Sequence, residues 1–150
     1  MLNPFSSFPT LHPLIVHLPI VLIPLTPLLL IVAWMRRSIT LEWTGTVLLA
    51  MGGAGAVLAS RIFHPHTDTM TLLAQEALSL HEIWADWTQG LTVAALGILL
   101  IQHLPWLRKV RPILRALALA IGLAAATTVS MAGHYGALLT HVHKVTVEKD

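Results

Sequence analysis

The chain has 150 residues, of which 55% are hydrophobic and only 11% charged, with a mean hydropathy of +0.75; that balance excludes a soluble globular or disordered chain and points to one domain, 1–150, set in lipid. The pI is near 9.5, but the formal net charge is only +2, and the basic residues stand at the ends of apolar runs, which argues against a nucleic-acid partner. With no cysteine, disulfides, thiolate zinc sites, iron–sulfur clusters and covalent c-type haem attachment are excluded.

Residues 1–11 carry no Lys or Arg, so the start lacks the basic region of a secretory signal, and the first apolar stretch is expected to stay as a helix. Four stretches, about 13–35, 40–61, 82–104 and 112–133, reach the roughly 20 residues needed to cross ~30 Å of hydrocarbon. None alternates like a membrane barrel strand. Backbone groups in lipid must bond within the segment, so the expected fold class is all-α, an integral membrane antiparallel four-helix bundle.

In the first span, His12 precedes Pro13 and is expected to be extended, with Pro13 in the opening turn of the helix. Pro19, Pro24 and Pro27 should each free a carbonyl four residues back and bow the helix. His17 lies about one turn inside, where it is either a ligand or a partner in an inter-helix hydrogen bond. The second span carries Gly52, Ala56 and Ser60 at every fourth position, a narrow groove for helix packing or for a flat cofactor.

The connection 62–81 is too long for a tight turn. Its His64, His66 and Asp68 form an H-x-H-x-D run that could hold a metal or simply be solvated. Asp68 or Thr69 could cap a helix there, and Ser79 with Glu82 forms a capping-box pattern where the third span begins. Whether this is one helix with the third span is open. That span begins at His81, with Trp84 and Trp87 as interfacial anchors. Asp86 near its end is a proton or quinone candidate, or an ion-pair partner of Arg61 or a histidine. His103 at the far end reads as a snorkelling, interfacial side chain. In the fourth span Ala116, Ala120, Ala124, Thr128 and Ala132 again recur every fourth position. His134 follows between Gly133 and Gly136, then His141, His143 and a polar tail, 144–150.

Arg36, Arg37, Arg108, Lys109, Arg111 and Arg115 surround the first and third connections, which makes that side cytoplasmic by the positive-inside rule. Both termini and the 62–81 connection are then expected on the periplasmic side of a bacterial inner membrane. Of nine histidines, only His103 falls at the inner side. Imidazoles from separate helices of a bundle can grip a haem iron without a covalent link, so His17, His81, His134 and His141 are the axial candidates, with His12 in reserve and Arg61 as a partner for a propionate.

The run LHPLIVHLPI, Leu11–Ile20, resembles the HPxxVHFPI-like opening of a family of small bacterial four-span membrane proteins catalogued as domain of unknown function 2231. The similarity continues in the Gly-containing second span, the His81–Glu82 start of the third, and the closing AGHYGALLTHVH with His134 and His141. Leu18 stands where the family commonly has Phe, and Val142 where Gly is usual. The resemblance implies a place in respiratory electron transfer, since some members are joined to c-type cytochrome domains.

The expected function is therefore a b-type cytochrome or cytochrome-like subunit, with one or two haem b groups near the periplasmic face and electrons passed to a periplasmic or membrane partner or a quinone. It is an electron carrier rather than an enzyme with its own substrate. Two alternatives remain: a structural or assembly subunit without cofactor, and a copper or zinc protein built on His64, His66, Asp68 and the tail histidines.

Overall fold

The computed structural model describes residues 12–61 and 70–142. They form α1 (His12–Arg36), α2 (Ile39–Arg61), α3 (Leu72–Ile101) and α4 (Arg111–Ala137), with a 3-10 turn at Pro105–Leu107 and a π-helical turn at Leu138–Val142. All four long helices are long and apolar enough to cross a membrane. The all-α, four-helix membrane fold is as expected, and the chain is a multi-pass membrane protein.

α1 pairs mainly with α2, and α3 with α4; the two hairpins then meet through smaller α1–α4 and α2–α3 seams. The core along these seams contains Ile23, Leu30, Leu49, Ala95, Leu99, Ala118, Ala125 and Val129. The alanines among them let backbones approach closely, which is how helices associate where lipid offers no hydrophobic drive.

α1 begins at His12, so this residue opens the helix rather than preceding it in extended form, and Pro13 lies in the first turn. The helix runs unbroken through Pro19, Pro24 and Pro27. It ends in a Schellman cap: the Ser38 N–H donates to Ala33 O at 2.9 Å and the Arg37 N–H to Trp34 O at 3.2 Å, with Arg37 in the left-handed region at φ 50°. Ser38 then caps α2, its Oγ accepting from the Leu41 N–H at 3.3 Å.

α3 is one continuous helix of 30 residues that starts ten residues before the expected span and ends at Ile101. Thr71 is its N-cap, accepting from the Ala74 N–H at 3.3 Å. The expected cap at Asp68 or Thr69 falls outside the described residues. Ser79 and Glu82 start no helix: the Ser79 hydroxyl donates to Glu76 O inside α3.

The buried face of α4 is Ala118, Gly122, Ala125, Thr128, Val129 and Ala132, whereas Ala116, Ala120 and Ala124 are exposed. An i+4 row turns about 40° per step around a helix of 3.6 residues per turn, so the expected alanine stripe holds one face only at its Thr128–Ala132 end. On α2, Gly45, Gly52 and Gly55 carry the seam with α1. A Cβ at Gly52 would lie 2.9 Å from Ile23 Cγ1, and one at Gly55 2.8 Å from Leu18 Cβ. Ala56 and Ser60 face the seam with α3.

Candidate functional site

The seam between the two hairpins is filled at one end and open at the other. At the open end lies a cavity of about 390 Å³ lined from all four helices. Val16, Pro19, Ile20 and Val129 supply an apolar wall; Ser60, His81, Glu82, Asp86, Thr88 and Gln89 supply a polar one. That size and mixture suit the headgroup of an amphiphile.

α3 positions the polar wall because 81, 82, 85, 86, 88 and 89 lie within three turns on one side of it. His81 Nδ1 is 2.8 Å from Ala132 O on α4. A carbonyl only accepts, so Nδ1 carries the proton and Nε2 keeps its lone pair. The missing side chain of Gly136 makes room for the ring, since a Cβ there would lie 3.3 Å from both Cε1 and Nδ1 of His81. One turn deeper, the Thr88 hydroxyl donates to Thr128 Oγ1 at 2.9 Å. Gln89 Nε2 donates to Ser60 Oγ at 3.1 Å and ties α3 to α2. Glu82 and Asp86 both line the cavity, and no Lys or Arg is among the described residues that do.

The candidate histidines separate. His81 lines the cavity and is half-buried. His17, on α1, is exposed and is not one of the lining residues. His134 is exposed and meets Tyr135 edge-on, ring centroids 5.4 Å apart. His141 is exposed in the π-helical turn. Three of the four axial candidates therefore do not line the cavity, because the face each helix buries against its neighbours fixes where its imidazole points. His12 opens α1 and Arg61 closes α2, but their side chains, like His64, His66, Asp68 and His143, lie outside the described residues. Among the described residues no group of three or more His, Asp or Glu is placed to hold a metal ion. Asp86, the expected proton or quinone candidate, is exposed and lines the cavity.

At the opposite end of the bundle the sequence reading missed a polar hub. Glu42 on α2 is 4% exposed. Its Oε1 accepts from Gln102 Nε2 at 2.8 Å, Arg115 donates to its Oε2, and Arg111 stands 3.6 Å from Oε1. Gln102 Nε2 also donates to Leu99 O at 3.1 Å; two acceptors on one nitrogen fix the amide's orientation. His103, expected to snorkel, instead stacks on Trp43 at 4.8 Å and 15° and accepts from Arg111 at 2.8 Å through Nδ1. The signal available in the sequence was Glu42 itself, one carboxylate among six cations.

Residues 9–149 match the family described as predicted membrane protein (DUF2231). No curated protein and no solved structure matches the chain.

Proposed function

The chain belongs to the DUF2231 family of predicted membrane proteins, and from that premise we propose a membrane electron-transfer subunit whose cavity takes the headgroup of a lipid-soluble quinol. The observation that carries this reading is the His81 Nδ1 contact to Ala132 O, which leaves an acceptor nitrogen at the cavity wall. A quinol hydroxyl is a donor and finds its partner in Nε2; the ring lies against Val16, Ile20 and Val129, and the isoprenoid tail stays in lipid. On oxidation the quinol loses two protons and two electrons. The first proton passes to Nε2 and on through Asp86 and Glu82 toward water, which frees Nε2 to take the second by the same route. The electrons leave singly to a one-electron acceptor on a partner subunit, for which a c-type cytochrome is the natural class. The basic end is cytoplasmic in this reading, and the cavity and both termini are periplasmic in a bacterial inner membrane.

A second reading is haem b, one or two groups, with His81 as an axial ligand, favoured by the same lone pair. Among the described histidines only His81 lines the cavity, so no second axial nitrogen is supplied there by them and haem ranks behind a neutral quinol. Titrating detergent-purified protein with a short-chain quinol, kept reduced under anaerobic conditions, and following tryptophan fluorescence tests the proposal, because Trp84 and Trp87 lie on α3 within two turns of His81. Saturable quenching that is lost in His81→Asn supports it; no saturable quenching overturns it. A Soret band after haem-sufficient expression would move the assignment to haem.

A further inference from the structure

The end of the bundle away from the cavity carries Arg36, Arg37, Arg108, Lys109, Arg111 and Arg115, and the sequence puts a single carboxylate, Glu42, among them. That carboxylate is buried, and both its oxygens are already occupied, by Gln102 and by Arg115. It therefore screens none of the exposed cations Arg36, Arg37, Arg108 and Lys109. Trp34, Trp43 and Trp106 are 49%, 43% and 74% exposed around the same end, the position of side chains that sit among lipid headgroups.

We propose that this end binds anionic phospholipid headgroups, with the phosphate met by the exposed Arg36, Arg37, Arg108 and Lys109. Charge complementarity selects the partner: an uncompensated cationic rim at headgroup depth is matched by a phosphodiester carrying net negative charge, and a zwitterionic headgroup matches it poorly.

The test uses the whole chain in a neutral detergent, with dioleoyl phosphatidylglycerol or dioleoyl phosphatidylcholine added at equal mole fraction. Native mass spectrometry reads retained lipid, and thermal unfolding reads stabilisation. Phosphatidylglycerol should be retained at least about tenfold more than phosphatidylcholine, and 0.5 M salt should remove the preference. The variant Arg36→Gln/Arg37→Gln/Arg108→Gln/Lys109→Gln, which leaves the Glu42 hub intact, should lose it while unfolding at its usual temperature in phosphatidylcholine. If that variant fails to fold, the salt series on the natural chain decides. Equal retention of the two lipids overturns the proposal, as does a preference untouched by the four substitutions or by salt. Equal stabilisation by glycerol 3-phosphate would make this a small-anion site and overturn it as well.

Discussion

His81 Nδ1 lies 2.8 Å from the carbonyl oxygen of Ala132, 51 residues further along the chain. This single contact joins α3 to α4 at the mouth of the cavity and at the same time sets which imidazole nitrogen is left for a ligand.

The two effects separate by substitution. His81→Asn places an amide N–H near the position of Nδ1, so the bond to Ala132 survives and the acceptor at Nε2 is lost; stability should hold while quinol affinity falls at least about tenfold, the worth of one hydrogen bond in a dry site. His81→Ala should lose both, with about 1 kcal/mol of stability gone. Gly136→Ala, which crowds the ring, should weaken quinol binding without removing any polar group. Fluorescence titration and unfolding of the same preparations check all three.

Glu42→Ala removes the partner of Gln102 and Arg115 together. The Arg111 and Arg115 side chains keep 30% and 31% exposure, so solvent screening holds the loss near the low end for a broken buried pair, about 2 kcal/mol. Glu42→Ala/Arg115→Leu should lose less than the sum of its two single changes, since it leaves one fewer uncompensated charge. Unfolding in mixed micelles with a graded fraction of dodecyl sulfate measures the cycle.

Two glycines should respond in opposite directions. A Cβ at Gly52 meets Ile23 Cγ1 at 2.9 Å and the Ile23 backbone nitrogen at 3.3 Å, whereas one at Gly97 meets nothing within 4 Å. Gly52→Ala should cost about 1–3 kcal/mol by pushing α1 off α2. Gly97→Ala should cost nothing and gain up to about 1 kcal/mol from helix propensity. The same unfolding assay ranks them.

Arg37 occupies the left-handed position of a Schellman cap at φ 50°, where a side chain is strained and glycine is not. Arg37→Gly should raise stability by about 0.5–1 kcal/mol in a neutral detergent. A fall would show that the charge at this turn contributes more than the backbone strain costs.

Much of the architecture was legible in the residues. Four apolar runs of membrane length, zero cysteines and cations gathered at two connections were enough for an all-α membrane bundle, and Leu11–Ile20 was enough to suggest the family. The single helix through Leu72–Ile101 was less legible, because the stretch before His81 is mixed in polarity and the capping pattern at Ser79–Glu82 is equally compatible with a helix interior. Asp86 and His81 were found from their place at a span end; Glu42 was passed over because a carboxylate near a basic turn looks the same in sequence whether it points to water or into the bundle.

Hydropathy and length are sums over neighbouring residues, so the chain alone determines that there are four membrane-crossing helices and which ends of them are charged. The direction of any one side chain turns by about 100° with each residue, and it becomes fixed only when a helix chooses the face it buries against its neighbours. That choice, made by Gly52 against Ile23 and by the Ala118–Ala132 face of α4, brought His81 to the cavity wall, left His134 and His141 exposed outside it, and closed three side chains onto Glu42.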